Sequence, residues 1–580
     1  MTEQHQLNKE PVYQSFLSRI DIFVQEKLSN YNPQRLDSKI IHDPIWGSVF
    51  YYSWEVKIID SPIFQRLRNI GQVGLAALTY PSARHSRFEH SLGTVAIASK
   101  MLESIMKRKC SVTIDEGKLA QVRFAALLHD IGHCFYSHLS ESVYGKMNEF
   151  KLLQDLFKKY KKQLRPKPHE IFSYLIINTP SFKRFIFNKV DYPLIKTLDI
   201  DKFMVEVGNM IIGYFNESPS GDIQYSYMTS IINGSFDADK LDYIKRDSYL
   251  AGLSLTYDIE RLLYKIDITR ISYKDKTDER LTLDINGVTA LEELTFSKIM
   301  LYSYIYHHQK VLISEEITKD LIYGLLKLKV FVHPCDFLNY TDSDIEVLAN
   351  MNNQYSPFPK YSDACRLTDF SKNIRFRKLP TRCFDFNQKN IIAINTEVED
   401  NSGNIQEIIE NCVNNAIQDS NRKNDIIKDT VNKIIKTSSI SQKPKHNIVD
   451  EIVFAYEGMT YEDILEKRYE FFSKLVDVYT ENNEAIDFNI FDIYIVIPKK
   501  VNYSVADENC VATRTNKVMK VDDFIKLKDW ADAFNANKWK GYVFVSRHID
   551  TKLAFKVSKD ILIGDRGEVV NPAAYIKGLN

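Results

Sequence analysis

Five histidines crowd into residues 85–138: His85, His90, His129, His133 and His138. The chain holds 13 in 580 residues, so even spacing would put about one there. Near neutral pH an imidazole can ligate a metal through a ring nitrogen or carry a proton. His129 and Asp130 adjoin at the end of the apolar run AALL, and His90 lies in an earlier helical stretch. Two imidazoles and a carboxylate need one more carboxylate to hold a divalent ion such as Fe, Mn, Zn, Co or Mg. The stretch SFDADKLDYIKRDSYLAGL, residues 235–253, supplies it. On a helix, Asp239, Tyr243 and Asp247 fall at i, i+4 and i+8 on one face, with Lys240 beside them. A metal carboxylate, a cation and a phenol would then share one cleft, a set suited to a phosphoester. A lone histidine at a helix end is more often a structural hydrogen-bonding group, and a lone Asp–Lys pair is usually a solvated face. Only the ordered combination argues for chemistry.

These residues need rigid carriers, and the sequence predicts helices for most of them. In SRFEHSLGTVAIASKMLESIM, Ser86 and Glu89 have capping-box spacing, and Leu92, Val95, Leu102 and Ile105 keep a helical stripe. A second box, Thr113 to Glu116, is expected to open the helix that runs into LLHD. Gly252 is a suitable stop for the Asp239 helix. Residues 9–30 have helical spacing, and IIHDPIWGSVFYY reads as a hairpin around Pro44 and Gly47. Amphipathic helices dominate from about 55 to 340. Beyond the candidate boundary NNQYSPFPKYSD, residues 352–363, the segments FDIYIVIPKK, KGYVFVSRH and KLAFKV alternate like strands. The expected fold is mainly α, with a smaller α+β C-terminal lobe. Its expected parts are a helical segment 1–35, the main domain 36–350 and the C-terminal lobe 351–580. The polar stretches 398–405 and 437–447 read as exposed loops.

Bulk properties narrow the partners. Apolar residues at 44% and charged residues at 26% are those of an ordinary globular protein. Lys+Arg and Asp+Glu both total 76, so net charge makes no case for nucleic acid or an anionic membrane. Any anion site must be local. The seven cysteines, Cys110, Cys134, Cys335, Cys365, Cys383, Cys412 and Cys510, form no CxxC pair. That argues against a thiolate zinc site or a disulfide framework and fits a reducing cytoplasm. No apolar run of 18 residues appears, so a membrane span is not expected. HExxH spacing and a P-loop are absent.

His90, the His129–Asp130 doublet and Asp239 match the H…HD…D signature, and the chain resembles the HD phosphohydrolase superfamily. The segments HDPIWGSVFYYSWEVKIIDSPIFQRLRNIGQVG, SRFEHSLG, HDIGHCFYSH and DADKLDYIKRD resemble its dNTP triphosphohydrolase branch. That branch includes the animal sterile-alpha-motif/HD enzymes and bacterial dGTPase-like proteins. The resemblance covers roughly residues 36–330. It implies that His90, His129, Asp130 and Asp239 hold the metal. Arg87, Lys240 and Tyr243 would reach substrate phosphates. His133, His138 and His169 would face the triphosphate, His138 near the leaving 5′ oxygen, and Asp130 would also orient water. Gln72 and Asp247 match positions that hold a deoxyribose 3′-hydroxyl, and Val73 the position that crowds a ribose 2′-hydroxyl. The implied activity is cleavage of a dNTP to deoxynucleoside and triphosphate. The resemblance further implies a homo-oligomer, dimer-based or tetrameric, switched by a nucleotide at subunit interfaces. Depleting dNTPs would starve phage replication, so an antiviral role is an expectation resting on the reaction.

The departures are specific. Family members often carry Gly-Pro-Phe where this chain has Cys134-Phe135-Tyr136, in the loop that presents His138. In FSKIMLYSYIYHHQKV, residues 296–311, His307 and His308 stand near base- and phosphate-contacting positions. Ile299 occupies the position of a family arginine, leaving Lys298 or Lys310 to substitute; plain packing of this tyrosine-rich helix is an equal reading. Two alternatives stay open: another HD phosphodiesterase or nuclease, and a nucleotide-sensing effector gated by a partner. No GYP follows the HD doublet and no basic stripe with interleaved aromatics appears, which weighs against the first.

Overall fold

Helical periodicity carries through to the structure wherever it is long. In the computed structural model, which describes residues 3–34, 37–108, 112–190, 192, 196–197, 199–218, 220–273, 276–393, 448–500, 510–512 and 518–569, the chain is mainly helical with small sheets. The stretches 398–405 and 437–447 lie outside the described residues, as do Cys110 and Cys412. Contacts divide the chain into two units, 1–379 with 500–535, and 380–499 with 536–580. The stretch 352–363 falls within the first of these.

In the first unit, α1 (Pro11–Leu28) starts on a proline, whose missing N–H costs nothing in a first turn. The hairpin pairs β1 (Lys39–Asp43) with β2 (Gly47–Tyr51) in antiparallel register from Lys39↔Tyr51 to Asp43↔Gly47. The helix α2 (Arg87–Lys107) opens on the Ser86–Glu89 capping box, and all four residues of its stripe are buried. The helix α3 (Glu116–Leu128) corrects one expectation. Its cap is Asp115, whose side chain accepts from Lys118 N at 2.8 Å, and Thr113 lies two residues upstream. Asp is as good a cap as Thr and stands where the helical dihedrals begin. There follow α4 (His138–Tyr144), α5 (Pro168–Asn178) and α6 (Ala238–Leu250), whose chain turns away at Gly252 with φ +71°. The strands β3 (Ile266–Tyr273) and β4 (Lys276–Asp284) form an antiparallel ribbon. Short strands Ile223–Gln224 and Cys510–Ala512 add to β4 in parallel. Next come α7 (Val288–Leu301), a π turn over Tyr302–Tyr306, α8 (Gln309–Lys327) and α9 (Asp342–Met351).

The second unit is built on a three-stranded antiparallel sheet, β5 (Thr381–Phe386), β7 (Gly541–Val545) and β6 (Ile493–Val496), with β7 in the centre. The helices α10 (Tyr461–Glu481) and α11 (Thr551–Leu562) share its core with Phe384, Ile495 and Val543. Here KLAFKV is helix rather than strand. Asp550 caps its first turn by accepting from Lys552 N and Leu553 N. Ala554, Val557, Ser558 and Leu562 are the buried set, a period that six residues are too few to reveal.

Candidate active site

Three helices deliver the nitrogen and oxygen donors to one point. His90 lies one turn into α2, His129 and Asp130 follow the last turn of α3, and Asp239 lies in the first turn of α6. His90 Nε2 stands 3.0 Å from Asp239 Oδ1, 3.3 Å from His129 Nε2 and 3.6 Å from Asp130 Oδ2. His129 Nε2 is 3.4 Å from Asp130 Oδ1 and 3.9 Å from Asp239 Oδ1. Donors on a common ion at ~2.1 Å are spaced as His90, His129 and Asp239 are, while Asp130 stands beside them with Oδ2 toward His90 and Arg87 and Oδ1 toward His129. The outer nitrogens are already engaged: His90 Nδ1 lies 2.8 Å from Asp242 Oδ2 and His129 Nδ1 2.8 Å from Ala126 O. With Nδ1–H donating, each Nε2 lone pair points inward, the usual orientation of a metal-ligating histidine. The residues therefore fit a divalent ion. Without one, burial works against charge on His90, yet its hydrogen bonds to Asp239 and Asp242 win and push the imidazole up to about 10. Burial likewise opposes charge on Asp130, but His129, Arg87 and His133 hold its carboxyl well below the usual range.

A second convergence adjoins the first. His133, His138, Glu141 and His169 each bring one donor atom within 4.8 Å of the others. His133 and His169 stack with ring centroids 3.9 Å apart, and His133 Nε2 is 3.3 Å from Asp130 Oδ1. Glu141 is shared: its Oε2 lies 2.7 Å from His138 Nδ1 and 3.1 Å from His169 Nδ1. His138 keeps 62% of its side chain accessible, unlike the buried His133 and His169. The protein around His138 lowers it although much of the side chain is accessible, and Glu141 opposes that shift; Glu141 raises His169 against burial. Burial, with Arg87 and His169 nearby, drives His133 well below its ordinary value. The close approach of α5 depends on Gly132, where a Cβ would sit 2.3 Å from Ser173 N and 2.4 Å from His169 O.

The phosphate and sugar candidates are distributed around these groups. Arg87 is buried and spends three N–H groups, on Asp130 Oδ2 at 2.7 Å, Ser137 Oγ at 2.9 Å and Gln72 O at 3.4 Å. A guanidinium has five, so two stay available. Lys240 Nζ is held by Asp237 Oδ2 at 2.5 Å and Gly234 O at 2.8 Å. Tyr243 lies one turn beyond Asp239 on α6, and burial raises its phenol well above the ordinary value. Asp247 is bonded on both oxygens, to His85 Nε2 at 2.7 Å and to the Tyr306 hydroxyl at 2.5 Å. Gln72 is buried with its side-chain oxygen unpartnered, and Val73 leads into a short 3-10 turn. His307 closes the π turn, and burial lowers its imidazole to about 4. His308 does something the sequence did not suggest: its Nδ1 caps α8 by accepting from Lys310 N at 3.2 Å.

Sequence reasoning missed several partners. Asp242 joins His90 to Trp46 Nε1 and to Arg246, whose Nε is 2.8 Å away; the spacing Asp239–Asp242 on one helix was its only signal. Glu141 follows His138 by three residues, which would have flagged it as a partner on a shared helix face. His85 and Tyr306 approach Asp247 from 162 and 59 residues away, and no local pattern announces them.

Residues 87–178 match the HD domain and residues 259–440 an HD-associated region. An uncharacterized protein of Methanocaldococcus jannaschii is 30% identical over 315 residues, covering 54% of this chain and 53% of that one. Deoxynucleoside triphosphate triphosphohydrolase SAMHD1 of Mus musculus is 27% identical over 274 residues, 46% of this chain and 40% of its own. The SAMHD1 homolog of Dictyostelium discoideum is 29% identical over 275 residues, 47% of each. The chain thus spans about half the length of these curated relatives. A crystal structure of a hypothetical protein from Aquifex aeolicus shares the fold, with TM-score 0.52 and 20% identity over 90% of this chain and 100% of that one. Among the described residues, no helix is long and apolar enough to cross a membrane.

Proposed function

Because this chain is an HD-domain protein with SAMHD1 relatives, we propose that it is a metal-dependent dNTP triphosphohydrolase, cleaving a dNTP to deoxynucleoside and triphosphate. The observation that carries the reading is the convergence of His90, His129 and Asp239, with Asp130 alongside, next to the His133–His138–Glu141–His169 group. A divalent ion held by the first set would supply Lewis acidity and lower the pKa of a bound water toward neutrality.

In this reaction water oxygen joins the α-phosphorus, the bond to the 5′ oxygen breaks, and that oxygen takes a proton. Asp130, fixed by Arg87, orients the water. His138 faces the cleft and hands its proton to the leaving 5′ oxygen, while Glu141 holds its ring. His133 and His169 face the triphosphate. Arg87, with two N–H groups to spare, and Lys240 and Tyr243 meet its oxygens. Asp247 and Gln72 take the 3′-hydroxyl, Val73 crowds a 2′-hydroxyl, and His307 and His308 stand nearest the base. The reading includes a homo-oligomer switched by a nucleotide at its interfaces, and dNTP depletion as an antiviral outcome.

The deciding assay offers the purified protein each dNTP and rNTP, singly and mixed, with Mg²⁺ or Mn²⁺, and separates products by ion-pair chromatography. Deoxynucleoside plus triphosphate, lost in Asp130→Ala, is the expected result. Activity only in mixtures would identify nucleotide activation. No hydrolysis in any mixture by a metal-loaded protein would overturn the reading.

A further inference from the structure

The loop that presents His138 is held in an unusual backbone state. Tyr136 and Ser137 both have φ +51°, two consecutive non-glycine residues in the left-handed region, immediately before α4 begins at His138. Side chains rarely tolerate this, so neighbours must hold it in place. Phe135 anchors one side, fully buried and stacked near-parallel on Phe337 at 5.4 Å. On the other side Asp342, the first residue of α9, accepts from Tyr136 N with Oδ1 at 2.6 Å.

The second oxygen of Asp342 goes elsewhere. Its Oδ2 accepts from Gly71 N at 2.9 Å, directly before Gln72 and Val73. The approach is close enough that a Cβ on Gly71 would lie 3.3 Å from that oxygen. Ser137 Oγ donates to Gly71 O at 2.7 Å and accepts from Arg87 Nε at 2.9 Å, so the same two loops are tied a second time. Asp342 touches no proposed metal ligand, and it comes from more than 200 residues further along the chain.

We propose that Asp342 is a positioning residue: its two carboxylate oxygens clasp the loop that presents His138 to the loop that carries Gln72 and Val73. The proton donor and the sugar-facing residues are thereby set relative to one another by a group outside the cleft. A monodentate contact would fix one loop and leave the other free. Two backbone donors on two oxygens fix the distance between them. This assignment rests on the triphosphohydrolase reading for its catalytic meaning, but the clasp itself is a statement about two amide protons.

The test is Asp342→Asn, which keeps size and shape but turns one acceptor into an N–H₂ donor that must face an amide N–H. Hydrogen exchange is followed in peptides covering 70–74 and 134–139, with Mn²⁺ affinity by electron paramagnetic resonance and steady-state kinetics on a dNTP. Exchange in at least one of the two peptides is expected to quicken about tenfold or more. Mn²⁺ affinity is expected to stay within about twofold, and kcat to fall up to about 100-fold with a smaller change in KM. A folded variant with unchanged exchange and unchanged kcat would overturn the proposal. Should Asp342→Asn not fold, Gly71→Ala decides, since its Cβ presses on the same oxygen: quickened exchange at 134–139 with retained Mn²⁺ binding supports the clasp, and wild-type exchange there overturns it. If the wild-type protein hydrolyses no dNTP, the functional reading falls while the exchange measurement still judges the clasp.

Discussion

The Nδ1 of His90 lies 2.8 Å from Asp242 Oδ2, and neither residue exposes any surface. That carboxylate also takes Arg246 Nε at 2.8 Å, and Arg246 Nη2 reaches on to Asp43 Oδ2 at 2.8 Å. The ring of His90 is thus oriented by a buried ion network rather than by the metal it would bind. Asp242→Asn is expected to weaken divalent-metal affinity by about 10–100-fold, the usual cost of losing an outer partner of a ligand histidine. It should also cost about 3 kcal/mol of stability by leaving Arg246 short of a charge partner. Metal titration and chemical denaturation on the same variant check both. Unchanged affinity in a folded protein would remove Asp242 from the metal's support.

Glu141 governs two imidazoles at once. Its charge favours the protonated forms of His138 and His169 against burial. A general acid works while protonated, so the rate falls as pH rises through its pKa. Removing the charge lowers that pKa. Glu141→Gln is therefore expected to move the alkaline limb of the kcat profile to lower pH, by about one unit. His138→Gln should instead cut kcat by about 10²–10⁴-fold below that pKa and abolish the alkaline limb. An unmoved limb in Glu141→Gln would assign the limb to another group.

The sequence reaches the helices and the convergent residues more readily than their supports. The Ser86–Glu89 box and the α2 stripe are local, long and regular, so periodicity alone delivers them. The cap at Asp115 was displaced by two residues because Thr113-x-x-Glu116 matches a cap pattern equally well. KLAFKV read as strand because six residues sample less than two helical turns. Asp342 and Tyr306 are invisible for a different reason. Each acts through contacts made across the fold, and in isolation an acidic residue or a tyrosine on a helix is an ordinary surface or packing residue.

Burial raises the Asp342 carboxyl to about 6, against the two amide bonds that favour its charge. The folded protein therefore keeps this proton to higher pH than the unfolded chain, whose carboxyl titrates near its ordinary value of 3.8. Folding takes up a proton between those limits, so the contribution to stability falls as pH rises from about 4 to about 6 and stays low above. Asp342→Asn removes the titration. The melting-temperature difference between wild type and variant should shift in the variant's favour across that window and level off above it. A difference that does not vary with pH would show that this carboxyl titrates at its ordinary value in the folded protein.

Gly132 has no room for a side chain. The atoms a Cβ would strike are backbone atoms of α5, Ser173 N and His169 O, which cannot swing aside. Gly132→Ala is expected to cost about 1–3 kcal/mol, the range of an overpacked core, and to push His169 away from Glu141. Denaturation midpoints would read the first effect. The pH profile would read the second, because His169 would lose the charge that raises it. Wild-type stability would mean that α5 can slide, contrary to the packing described.

The helix α6 carries Asp239 near one end and Asp247 eight residues on, each locked by partners from other elements. Eight residues at the helical rise span about 12 Å, a length that no loop motion can alter. The helix behaves as a ruler with two fixed graduations. One marks the donor set where a metal would sit, the other the carboxylate pinned by His85 and Tyr306. Adding or deleting one residue between them would swing a graduation by about 100° off the shared face. The tolerated changes in this stretch are therefore substitutions, never insertions, and the span a ligand must bridge is written in the pitch of one helix.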